Sequence, residues 1–107
     1  MAHMFYGYVP KEEWLVTYGV KKKLGNTKTE WQRSCTILNA ALDIFERAGL
    51  AGHSKLPLVW ADGEMRSCLA IGSNDLLDQL PMPTPEQVQR LKDVLGTERE
   101  PSWFVYA

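Results

Sequence analysis

Apolar residues recur at helical spacing between Trp31 and Ala48. Trp31, Cys35, Leu38, Leu42 and Phe45 trace one line, and Ile37, Ala41, Ile44 and Ala48 widen it to about half the circumference. Gln32, Arg33, Thr36, Asn39, Asp43, Glu46 and Arg47 fill the remaining arc. Thr27 and Glu30 have the spacing of a capping box, and Gly49-Leu50 supply a left-handed stop with a hydrophobic partner. The pattern predicts a long helix over residues 28–48, set deep against other elements. A second helix is predicted over residues 85–95. Thr84 caps it, Pro85 occupies the first turn, Gln87 closes a capping box, Val88, Leu91, Val94 and Leu95 form the buried side, and Gly96 ends it. SNDLLDQL before it has a cap in Ser73 or Asn74 and suits two short turns. PKEEWLVTYGV (10–20) fits a helix that opens on Pro10, Glu12 and Glu13, although its β-branched and aromatic content also suits a strand. The helix is the preferred reading.

Period two appears in LVWADGEMRSCLAI. Asp62-Gly63 is the dipeptide of a two-residue type I′ turn, which sets Ala61 opposite Glu64, Trp60 opposite Met65, Val59 opposite Arg66, Leu58 opposite Ser67 and Pro57 opposite Cys68. One face of this hairpin then carries Leu58, Trp60, Met65, Leu69 and Ile71, the other Val59, Glu64, Arg66, Cys68 and Ala70. The first is the more apolar and is expected to press onto the long helix. FYGYV and SWFVYA, near the two ends, read as further strands. The fold expected is α+β: a small, mainly antiparallel sheet, made of the hairpin 56–71 and the N- and C-terminal strands, packed on one face by helices 28–48 and 85–95.

The length of 107 residues suits a single domain over 4–107, and MAHM looks like a cloning remnant, so residues 1–3 are set aside. Twelve Lys and Arg against thirteen Asp and Glu leave a formal charge of −1, which argues against a nucleic-acid partner. No stretch has the length of a signal-peptide core or membrane span, and two widely spaced cysteines form neither a disulfide framework nor a zinc pattern. A cytoplasmic chain with reduced thiols and no membrane partner is expected.

Chemistry-bearing residues are few. Cys68, two residues from Arg66, with His53 upstream, could form the core of a small enzyme site beside the hairpin. The preferred reading, however, makes Cys68 a small hydrophobe and His53 a loop residue beyond a helix end. His53 is the one histidine outside residues 1–3, so a metal cofactor is not expected. The pairs Glu12-Glu13 and Asp75-Asp78 fit helix N-termini, and Asp62 with Glu64 fits a turn. Lys21, Lys22 and Lys23 fit a solvated loop, and the PMPTP segment a stiff connector. The surplus is aromatic: four Trp, four Tyr and three Phe. Tyr6, Tyr8, Trp103 and Tyr106 lie in the terminal strands, and with Arg66 they are the candidate binding residues. The function they suggest is that of a small binding or interaction domain, taking a protein, a peptide or a small organic ligand on an aromatic sheet face or edge. A homodimer is one way to cover such a face.

Overall fold

The computed structural model describes residues 2–107. Strand β1 (Met4–Tyr8) leads into helices α1 (Glu12–Lys21) and α2 (Glu30–Arg47). Strands β2 (Leu58–Ala61), β3 (Glu64–Ser67) and β4 (Leu69–Ser73) follow, then α3 (Pro85–Leu95) and β5 (Ser102–Tyr106). The result is the expected α+β fold, with a five-stranded antiparallel sheet in the order β3-β2-β5-β1-β4. No helix among the described residues is long and apolar enough to cross a membrane.

The Asp62-Gly63 turn has positive φ at both positions, 54° and 77°, and the four ladder pairs of the hairpin are those that a two-residue turn dictates. The expected core face divides: Leu69 and Ile71 do press onto the helices, but the hairpin part of that face turns outward. Val59, Cys68 and Ala70 are fully buried, while Leu58, Trp60 and Met65 are about half exposed and touch no helix core. The cause lies in how the sheet closes. Only Cys68 separates β3 from β4, yet these strands stand at opposite ends of the strand order. In a flat sheet they would be roughly 19 Å apart, whereas the two links from Ser67 to Leu69 reach only about 7 Å. The sheet therefore curls into a small barrel in which β3 and β4 act as one bent strand. Hydrogen bonds from Cys68 N to Pro57 O at 2.9 Å, and between Lys55 and Ala70 in both directions at 3.0 Å, seal the closure. Gly7 allows the tightest approach, since a Cβ there would sit 2.0 Å from the Leu69 carbonyl oxygen.

The curl creates two cores. Inside the barrel lie Phe5, Val59, Cys68, Ala70 and Leu80, with Val9 and Phe104 at the margin. Few and mostly small side chains fit so narrow an interior. The second core lies outside β1 and β4, where Leu69 and Ile71 meet Leu15 of α1, Ala40, Ala41, Ile44 and Phe45 of α2 and Leu91 of α3. Helices thus cover one side of the barrel and leave the outside of β2 and β5 bare, while Met65 and Ser67 on the outside of β3 border a hollow toward Leu15 and Ile37.

Helix α2 is also rotated from its expected setting. Its buried line is Thr36, Ala40, Ala41, Ile44 and Phe45, while Trp31 is 76% exposed and Leu38 and Leu42 are about half exposed. Thr36, expected on the polar arc, is buried because its hydroxyl donates to the carbonyl of Asn26 or Gln32, both 2.8 Å away. The α2 cap is Thr29 rather than Thr27, its hydroxyl accepting from Gln32 N. The capping box at Thr84 and Gln87 is formed as the spacing requires. SNDLLDQL makes only a single 3-10 turn, Leu76–Asp78, capped by Asp75.

Candidate functional site

The barrel has two ends of different character. The end away from the hairpin turn is plugged: His3, set aside in the sequence reading, lies 4.9 Å from both Phe5 and Tyr106, ring centre to ring centre, and its Nε2 is 2.6 Å from Asp78. Burial alone would raise the Asp78 pKa. Hydrogen bonds from the Ser73 hydroxyl and His3 outweigh it and hold the carboxyl below its ordinary value. His3, Asp75 and Asp78 bring potential ligand atoms within 4.8 Å of one another, but an imidazole and two carboxylates with hydrogen-bonded partners of their own are also an ordinary polar plug.

The other end is open. The last residues of β1, the Asp62-Gly63 turn, the start of β5, Trp14 of α1 and the segment after α3 surround a cavity of about 460 Å³. Ala61, Val9 and Phe104 form its floor, since Ala61 and Phe104 point toward the barrel interior. Arg66 also points inward, directly opposite Val59. Its Nη1 lies 3.3 Å from Asp62 Oδ2 and its Nη2 donates to the Val9 carbonyl at 3.4 Å. Lys11 and Arg99 reach the rim, and Glu100 is already paired with Lys92. The Tyr8 hydroxyl donates to the Arg99 carbonyl, and its pKa is pushed up to about 12 by burial first, then by Glu100 and Tyr6.

The five candidate binding residues do not form one site. Tyr8 and Arg66 line the open mouth. Tyr6 and Trp103 face the outside of the sheet, ring centres 5.1 Å apart. Tyr106 belongs to the plugged end. The enzyme pair fares differently. Cys68 is fully buried in the barrel, and burial pushes its thiol pKa up to about 12, so it is neither exposed nor ionised near neutrality. His53 lines a shallow hollow on the helix side with Leu50, Ile71 and Pro81. The alternative of a Cys68 nucleophile is therefore ruled out by its burial, and the preferred reading of Cys68 as a small packed side chain stands.

A second surface emerges from strand pairing. Met65 pairs with Trp60, Trp60 with Val105, and Val105 with Met4, so these four side chains form one row across four strands on the outer face. Leu58, Trp103 and Tyr6 flank the row, and Ser67 opposite Leu58 completes it. No charged residue belongs to this set. Sequence reasoning missed the row because it assigned Trp60 and Met65 to the core. It missed Lys11 and Arg99 because only antiparallel pairing of β1 with β5 brings Pro10-Lys11 and the segment before Ser102 to the same barrel end. No protein-family model, curated protein or solved structure matches this chain.

Proposed function

We propose that the chain is a small interaction domain whose working surface is the outer face of β2, β3 and β5, and that a second copy of the chain occupies it. The observation that carries this reading is the uncharged row Met65, Trp60, Val105 and Met4, with Leu58 and Trp103 beside it. Monomeric proteins rarely leave so continuous an apolar surface in water, and large side chains exposed together mark contact surfaces. A second copy suits it because two uncharged faces meet about a two-fold axis without like-charge repulsion. An intracellular setting fits the two free thiols, Cys35 and Cys68.

Sedimentation velocity over a wide concentration range tests this. The wild-type chain is expected to shift from monomer to dimer at concentrations up to about 1 mM, the weak end of specific association. Trp60→Lys places a charge in the middle of the row and is expected to stay folded and monomeric throughout. A wild-type chain that remains monomeric over the whole range, or a Trp60→Lys variant that dimerises as well as wild type, overturns the reading.

A further inference from the structure

The open mouth of the barrel is independent of the outer face and shares no residue with the row across it. Arg66 is the unusual group there. A guanidinium carries five N–H donors, and this one, with its side chain 21% exposed, has only two contacts among the described residues, both long. One of them goes to Asp62, which is itself almost wholly in solvent. Inward-facing charges on barrel strands normally have close partners, because an under-satisfied charged donor is costly away from water. Lys11 and Arg99 add two cations with no ion-pair partner among the described residues. Against the three cations of the lining stand two carboxylates, Asp62 and Glu100, and Glu100 is engaged by Lys92.

A neighbouring hollow between α1 and β3 makes a useful contrast. It shares Lys11 and Arg66, but its cations Lys11, Arg33 and Arg66 are matched by Glu12, Glu13 and Glu64, and Arg33 is bonded to Glu12. Of the two, it is the mouth that carries surplus positive charge above an apolar floor. Its volume lies within the range of small-ligand sites, and barrel mouths are a recurrent place for them.

We infer that the barrel mouth binds a small organic monoanion, a carboxylate on a flat apolar body. The carboxylate meets the unused N–H donors of the Arg66 guanidinium, with Lys11 and Arg99 nearby, and the body lies over Val9 and Phe104 beside Trp14. A carboxylate fits better than a dianionic phosphate because Asp62 and Glu100 at the rim would repel the second charge. A planar fork is also the natural partner of a carboxylate.

The test uses the whole chain, ¹⁵N-labelled, titrated with 2-naphthoate, with uncharged 2-naphthylmethanol and with 2-naphthyl phosphate. Saturable shifts from 2-naphthoate are expected at amides of residues 7–14, 61–66 and 97–104, with a Kd below about 1 mM. Naphthylmethanol and naphthyl phosphate should each bind at least about tenfold more weakly. Arg66→Met, which keeps the apolar stem, should cost about tenfold or more, whereas Trp60→Lys on the outer face should leave the titration unchanged. If Arg66→Met fails to fold, the surface double variant Lys11→Gln/Arg99→Gln decides, with a loss of several-fold expected. Equal binding of acid and alcohol, tighter binding of the phosphate, shifts confined to the outer face, or no saturation by about 10 mM would each overturn the inference. Because Trp60→Lys separates the two surfaces, failure here and failure of self-association are read independently.

Discussion

Val59 and Leu58 are neighbours in one strand, and their truncations should rank opposite to their sizes. Val59 is fully buried inside the barrel, and Leu58 is half exposed on the outer face. Val59→Ala removes two buried carbons, about 0.8 kcal/mol each in lost transfer free energy. A void of roughly 40 Å³ in a barrel wall that cannot collapse adds about 1 kcal/mol. The expected loss is therefore about 2.5 kcal/mol. Leu58→Ala removes three carbons, but these are only half desolvated and water refills the space, so about 1 kcal/mol is expected. For a chain of this length the two losses correspond to falls in Tm of about 10 °C and about 4 °C. Urea unfolding followed by circular dichroism, at the lowest workable concentration so that self-association adds nothing, gives both values. A Leu58→Ala variant that loses as much as Val59→Ala, or more, would refute the inward placement of Val59 and with it the barrel closure.

Three further outcomes follow from the buried and hydrogen-bonded groups. Under native conditions a chromogenic disulfide reagent should modify half-buried Cys35 while Cys68 reacts only after unfolding; rapid native reaction of Cys68, seen in a Cys35→Ser background, would contradict its burial. Stability should fall on both limbs of the pH scale. Burial is the first cause that pushes Tyr8, Tyr18 and Cys68 up to about 12, so the folded chain keeps protons that the unfolded chain releases from about 9.0 (thiol) and 10.0 (phenols) upward. Their contribution is complete below those unfolded values and drains as pH climbs toward 12, and Cys68→Ala should flatten the slope between pH 9 and 12. An unchanged slope in that variant counts against the shift. On the acid side, the Tyr18 hydroxyl at 2.7 Å is the first cause that lowers the Asp43 pKa, with the Arg47 guanidinium at 2.8 Å adding to it. Asp43 therefore stabilises above its ordinary value of 3.8, and that contribution is lost as pH falls through the lower folded value. Asp43→Asn should match wild type in strong acid and fall behind it near neutrality, as urea midpoints would show.

Local signals in the sequence are legible because short-range chemistry decides them. Asp62-Gly63 fixes a turn through the φ angles it permits, and Thr84 with Gln87 fixes a helix start through two backbone donors. The inside and outside of the hairpin are another matter. Hydrophobic alternation favours the face with Trp60 and Met65 as the core, and in an open sheet covered by helices that inference would hold. Here β5 inserts between β2 and β1, β3 continues through a bend at Cys68 into β4, and the sheet rolls up. Phe5 and Leu80 already fill much of the interior of so narrow a barrel, which leaves room for Val59, Cys68 and Ala70 but not for an added indole, so interior volume overrides hydrophobicity in choosing the buried face. The same roll accounts for both candidate surfaces. It pushes the bulky apolar side chains to the outside of β2, β3 and β5, where the helices leave them exposed. It also turns Arg66 inward at the rim, where the carboxylate beside it is too exposed to satisfy it. Both features depend on a pairing between residues nearly a hundred positions apart, Tyr6 with Trp103, and no local pattern specifies that contact.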